Sequence, residues 1–130
     1  MARILLVEDD APMMRIISMW LQRNNHQVTE ACNGLRGQER LSSEQFDIMV
    51  SDINMPEMSG LELIDWLRNE HESSIPILLL SSRADQRAIA EKLESQGVTV
   101  FPKPFSPSRL VSEIEKRLSE APAAEASASE

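Results

Sequence analysis

The residues best able to do chemistry stand just beyond four short apolar runs. Glu8, Asp9 and Asp10 follow Ile4-Leu5-Leu6-Val7, and Asp52 closes the segment begun by Ile48-Met49-Val50. Ser81 and Ser82 follow Ile77-Leu78-Leu79-Leu80, and Lys103-Pro104 lies just past Val98-Thr99-Val100-Phe101. If these runs are parallel strands, their carboxyl ends share one edge of a sheet, where open α/β sheets bind ligands. Carboxylates crowded there raise one another's pKa unless a cation intervenes. Mg²⁺ suits such a set, because it takes oxygen ligands and keeps waters that phosphate oxygens can replace. No cluster of Cys and His points to zinc instead. A metal, an ammonium and a hydroxyl together would neutralise and position a moving phosphoryl group. Asp52 would be its nucleophile, as carboxylates are in aspartyl-phosphate enzymes.

The elements that must hold these groups are legible in the hydrophobic pattern. Near-continuous apolar runs of strand length predict strands buried on both faces, as in a parallel sheet. A weaker run, Gln27-Val28-Thr29-Glu30-Ala31, adds a fifth strand between the first two. Helical spacing fills the intervals. Ile16, Ile17, Trp20 and Leu21 share one face of a first helix whose opening turn contains Pro12. Leu61, Ile64 and Leu67 recur at helical intervals after the third strand, and Leu110, Val111, Ile114 and Leu118 form a stripe near the end. Ser106 is placed to cap that last helix, with Pro107 in its first turn. The stretch from Ala84 to Gln96 is polar apart from Ala88, Ile89 and Leu93, which predicts a loosely held helix. Five alternations of strand and helix call for a parallel sheet covered on both sides.

At 130 residues and 42% hydrophobic content, the chain suits one domain with a real core. The expected domain covers residues 1–120, and the Ala/Ser/Glu-rich residues 121–130 are expected to be a disordered tail or the start of a linker. A net charge of −8 argues against direct nucleic-acid binding, which requires cations to neutralise phosphates. The single Cys32 forms no internal disulfide and suits a reducing compartment. No apolar stretch at the N-terminus is long enough to span or enter a membrane, and Met1-Ala2-Arg3 shows no signal-peptide pattern. The expected location is cytoplasmic.

Other residues have plainer readings. An acidic residue at a strand end is usually a solvated loop residue, and Asp10 taken singly reads that way. His26 and His71 lie in polar contexts and read as surface residues, and Cys32 as small, inert and partly buried. Core or near-core packing accounts for Met14, Met19 and Met49, and packing also for Trp20 and Trp66. Met55, Pro56 and Met58, beside the acceptor, suit docking and packing equally.

Val7-Glu8-Asp9-Asp10, Asp52-Ile53-Asn54-Met55-Pro56 with Ser59-Gly60, Leu80-Ser81-Ser82 and Lys103-Pro104-Phe105 together resemble the motifs of response-regulator receiver domains of two-component signalling, in order and spacing. The similarity runs from about Arg3 to Leu118. It implies a doubly wound (βα)5 flavodoxin-like α/β fold, with a five-stranded parallel sheet in order 2-1-3-4-5 and helices on both faces. It also implies a phospho-acceptor, Asp52, fed by a sensor histidine kinase or a histidine phosphotransfer protein. Metal ligands would be Glu8, Asp9, Asp52 and the backbone carbonyl of Asn54, holding Mg²⁺ with Mn²⁺ as a substitute, and Asp10 would be a neighbour. Ser81 matches the hydroxyl that moves to meet the phosphate, and Lys103 the lysine that pairs with it. Pro104 matches a proline that follows a cis bond, while Asn54 and Arg83 match positions that tune phosphoryl lifetime. Such a domain is no metabolic enzyme; it catalyses its own Mg²⁺-dependent phosphotransfer and autodephosphorylation. Its output would be a conformational switch read by a protein target on the 84–119 face, as a monomer or a phosphorylation-dependent dimer.

Two features depart from the family pattern. The aromatic residue usual three positions before the lysine is replaced by Val100, with Phe101 beside it, and the stretch from Gly97 to Lys103 is one residue short. Either Phe101 serves through a shifted register or the aromatic part of the switch is missing. Ser82 stands where Ala or Gly is usual, and is small enough to leave the acceptor open. Three alternatives remain beside the switch: an N-terminal part of a longer regulator, a phosphorylation-independent scaffold, and an aspartyl phosphatase. The last fits poorly, since Asn54 replaces the second Asp of its motif and there is no cap-sized insertion.

Overall fold

A computed structural model describes residues 2–81, 91 and 93–128. Five strands, β1 (Arg3–Val7), β2 (Gln27–Ala31), β3 (Ile48–Asp52), β4 (Ile77–Ser81) and β5 (Val98–Pro102), form one sheet in the order β2-β1-β3-β4-β5. Every neighbouring pair is parallel. Among the described residues, four helices, α1 (Ala11–Arg23), α2 (Gly34–Ser43), α3 (Gly60–Asp65) and α4 (Pro107–Ala128), connect or follow the strands. Most of the helix expected over Ala84–Gln96 lies outside the described residues. Leu93, within that segment, is buried.

Alternation along the strands divides the core in two. Leu5, Val7, Met49, Ile77, Leu79 and Val98 face one side, packed with Leu41 of α2 and Leu63 and Ile64 of α3. Ile4, Leu6, Ile48, Val50, Leu78 and Leu80 face the other, packed with Met14, Ile17 and Leu21 of α1 and Leu110, Val111 and Ile114 of α4. The sheet is therefore covered on both faces, and the apolar runs read from the sequence are its strands. β3 and β4 are buried at every residue, while the outer strands β2 and β5 are partly open. A fully buried Leu or Ile stabilises by roughly 1.5–3 kcal/mol, so the central strands anchor the fold.

Local signals set the helix starts. Asp10 caps α1 by accepting from the Met13 amide at 3.2 Å, and Asn33 caps α2 by accepting from Arg36 at 2.9 Å. Ser59 and Glu62 form a reciprocal capping box at α3. The expected Ser106 cap is present, its hydroxyl accepting from the Arg109 amide at 3.3 Å. α3 ends in a π-helical turn, Trp66–Glu70, where the His71 amide reaches back to the Trp66 carbonyl at 2.9 Å.

Some packing differs from expectation. The contacting stripe of α1 is Met14, Ile17, Ser18 and Leu21, a narrow i, i+3, i+4, i+7 set, so Ile16 is 40% and Met19 48% exposed. Trp20 packs only partly, against the edge of that core. Leu61 is likewise turned outward, and Leu63 takes its place against the sheet. Cys32 is exposed rather than partly buried, because it follows the last residue of β2. The path of α4 continues to Ala128, across residues that composition assigned to a disordered tail; alanine has the highest intrinsic helix propensity.

Candidate functional site

The parallel order brings the ends of β1, β3, β4 and β5 to one rim. Glu8 follows β1 and is 1% exposed, Asp52 ends β3 at 5%, and Ser81 ends β4 fully buried. Asp9 is exposed beside them. One carboxylate oxygen from each of Glu8, Asp9 and Asp52 lies within 4.8 Å of the others. Lys103 enters from just beyond β5, with Nζ 2.9 Å from Asp52 Oδ1 and 3.8 Å from Glu8 Oε1.

Backbone contacts fix these groups. The Lys103 amide donates to the Ser81 carbonyl at 2.8 Å, continuing the β4–β5 ladder one residue past the strand. The Lys103–Pro104 bond is cis, as the resemblance implied. The Ser51 hydroxyl donates to the Asp52 carbonyl at 3.0 Å. Gly60 is required by close approach: a Cβ there would lie 2.4 Å from the Asp52 carbonyl oxygen and 3.0 Å from Ile53 Cα. The capping box of α3 thus seats its first turn directly beneath Asp52.

Burial and like charge dominate the electrostatics. Desolvation, then the charge of Asp52, push Glu8 up to about 7, against the opposing pull of Lys103 and the Asp10 amide. Burial pulls Lys103 down, but its hydrogen bond to Asp52 and the charges of Asp52, Glu8 and Asp9 outweigh that and raise it. Among the described residues, Glu8 Oε1 is buried without a hydrogen-bond partner. A carboxylate oxygen left in that condition, amid two further carboxylates, is what an oxygen-loving divalent cation would satisfy.

The structure therefore brings together Glu8, Asp9, Asp52 and Lys103, with Ser81 on the neighbouring strand end. Asp10 instead caps α1, and its amide donates to Glu8 Oε2 at 3.3 Å. Asn54 is exposed just past the acceptor. Ser82 and Arg83 lie outside the described residues. Val100 pairs with Leu79 and packs in the core on the α2/α3 side, whereas Phe101 pairs with Leu80, packs on the α1/α4 side and meets Phe105 at 5.6 Å. No register shift brings Phe101 to the face that Val100 occupies. Sequence reasoning did not single out Ser51 or the seat at Gly60; the Ser59-x-x-Glu62 spacing was the available signal for the latter. A cleft of about 580 Å³ between α1, β2 and α2 reaches Glu8 and Asp9 from solvent.

Comparison with known proteins agrees with this fold. Residues 4–115 match the family described as response regulator receiver domain. The response regulator receiver protein CpdR of Brucella abortus is 36% identical over 91% of this chain and 98% of its own length. The transcriptional regulatory protein SrrA of Staphylococcus aureus is 30% identical over 88% of this chain but 47% of its own. Among solved structures, the signal receiver domain of a signal transduction histidine kinase from Syntrophus aciditrophicus superposes with a TM-score of 0.82 at 30% identity, covering 93% of this chain and 92% of that one.

Proposed function

The chain belongs to the response regulator receiver domain family, and on that premise we propose that it is a switch thrown by transfer of a phosphoryl group to Asp52. The donor is the phosphohistidine of a sensor kinase or phosphotransfer protein, docked over the strand ends. An Asp52 carboxylate oxygen attacks phosphorus in line; the P–O bond forms as the P–N bond to histidine breaks. The observation that carries this reading is the grouping of Lys103, Asp52, Glu8 and Asp9 at one rim.

The acid cluster fits Mg²⁺, with Mn²⁺ as a substitute, because the buried Glu8 Oε1 has no hydrogen-bond partner among the described residues and two other carboxylates stand beside it. Glu8, Asp9, Asp52 and the Asn54 carbonyl would hold the ion. When bound, Mg²⁺ neutralises and orients the phosphoryl oxygens. The remaining work belongs to the chain. Lys103, now paired with Asp52, turns its ammonium to a phosphoryl oxygen once the carboxylate is esterified. Ser81 donates its hydroxyl to another. The new group adds about −1.5 to −2 charges, enough to draw both inward. That movement shifts a pre-existing equilibrium and is read by a protein target on the 84–119 face, which includes β5 and the start of α4. Ser82, Arg83, Asn54 and Pro104 would tune access to the phosphoryl group and its lifetime.

No helix among the described residues is long and apolar enough to cross a membrane, which fits the cytoplasmic setting proposed for such a switch. The match to less than half of SrrA supports a second reading, in which the domain works as part of a longer regulator.

Intact mass after incubation with Mg²⁺ and acetyl phosphate tests the proposal. A Mg²⁺-dependent gain of one phosphoryl group, absent in Asp52→Asn, is expected. No gain from acetyl phosphate or from a histidine kinase donor would leave a receiver fold acting as a phosphorylation-independent scaffold.

A further inference from the structure

His26 is not the surface residue its polar context suggested. Its side chain is 8% exposed, in the turn between α1 and β2, and it bridges elements far apart in sequence. Nδ1 lies 3.2 Å from the backbone nitrogen of Ala2, and Nε2 lies 3.0 Å from Oε2 of Glu115 on α4. The ring is held from behind, since the His26 amide donates to the Leu21 carbonyl of α1 at 3.1 Å. Beside it, the Gln27 amide donates to the Ala2 carbonyl at 2.8 Å, at the first rung between β1 and β2.

Donor and acceptor chemistry fixes the state of this ring. An amide nitrogen only donates, so Nδ1 must present a lone pair to Ala2. A carboxylate only accepts, so Nε2 must carry the proton toward Glu115. The neutral ring in one tautomer satisfies both partners. An imidazolium satisfies one, because a proton on Nδ1 would point at the Ala2 N–H. Arg3 on β1 is paired with Glu44 at 2.9 Å, its amide is taken by Asp47 at 2.8 Å, and Arg23 on α1 lies over the Trp20 ring.

We propose that His26 is a proton-operated clasp: the neutral ring joins the start of β1 to α4, and protonation keeps Glu115 but releases the Ala2 amide. Glu115 is retained because its bond, charge-assisted by the carboxylate from the start, becomes an ion pair when the ring is protonated. The released amide loosens the first rung of β1 and β2, at the end of β1 away from Glu8 and Asp9. Acidification thereby acts on a strand of the phosphotransfer rim without titrating a residue of that rim.

Imidazole nitrogen NMR and amide exchange on the full chain test this. The chain has two histidines, and His71, stacked on Trp66 at 4.9 Å, is the internal control. At neutral pH His26 is expected as the Nε2–H tautomer. Exchange protection of the Ala2 amide should fall roughly fivefold, the effect of one net hydrogen bond, along the His26 titration. His26→Gln should abolish that step. Glu115→Gln, whose amide oxygen still accepts from Nε2–H, should keep the neutral clasp and its Ala2 protection. An Nδ1–H tautomer, Ala2 protection constant through the His26 titration, or a step that follows His71 would each overturn the proposal.

Discussion

Glu8 sits in a conflict that the rest of the site maintains: it is buried, faces Asp52, and is pushed up to about 7. A carboxyl whose folded value exceeds its unfolded one stabilises the fold while protonated. That contribution is fully present below the ordinary glutamate range and is lost as pH rises from about 4.5 to about 7. Without metal, the urea midpoint of the wild type should therefore fall across that window relative to Glu8→Gln, which keeps the shape without the charge. A constant difference between the two proteins from pH 4.5 to 8 would refute it. The grouping of Glu8, Asp9, Asp52 and Lys103 was readable from sequence, because each lies within two residues of the end of a run whose apolar character betrays a strand. Asp10 was not, since capping and metal ligation ask for the same residue type at adjacent positions. His26 was not either, because its partners Ala2 and Glu115 meet only in the folded chain.

The β3–α3 connection is the element that holds Asp52 in place. Ser51, the α3 capping box and Gly60 converge on the Asp52 peptide. Gly60→Ala should cost roughly 1–3 kcal/mol, since the nearest atom its Cβ would meet is the Asp52 carbonyl oxygen, with Ile53 Cα and the Leu79 side chain just beyond. It should also slow acceptance from acetyl phosphate, because the displaced peptide carries the nucleophile. Normal transfer in a destabilised Gly60→Ala protein would separate the seat from the chemistry. β5 makes a second case. Phe101 lies on the α1/α4 side against Phe105, so Phe101→Ala should destabilise by about 1–3 kcal/mol while transfer to Asp52 continues. Loss of transfer out of proportion to stability would show Phe101 acting in the switch after all. Strand positions were legible to within a residue or two, because period and apolarity carry them. The face of each helix was less so. α1 buries a four-residue stripe, and only tertiary contact decides that Ile17 and Leu21 face inward while Ile16 does not. The π-helical turn ending α3 left no trace in the pattern.

For the whole molecule, apolar alternation fixed the class of fold, but the order of the strands came from resemblance. Handedness rules alone permit several arrangements of five parallel strands. The order found makes a single sheet the shared wall of two cores, so neither can melt alone. Trp20 packs against one and Trp66 against the other. Trp20→Phe and Trp66→Phe variants, each with one fluorophore, should give coincident denaturation midpoints that also match the loss of helical circular dichroism. Separated midpoints would mean that the two halves unfold independently. The sheet also has a second rim, opposite the acid cluster, where the chain turns back into the strands. Gln45, between α2 and β3, is exposed on that side. A dye, an affinity tag or even an inserted domain could be grafted there with the rim of Glu8, Asp9, Asp52 and Lys103 left clear, making the molecule a ready scaffold for a reporter of what binds at that rim.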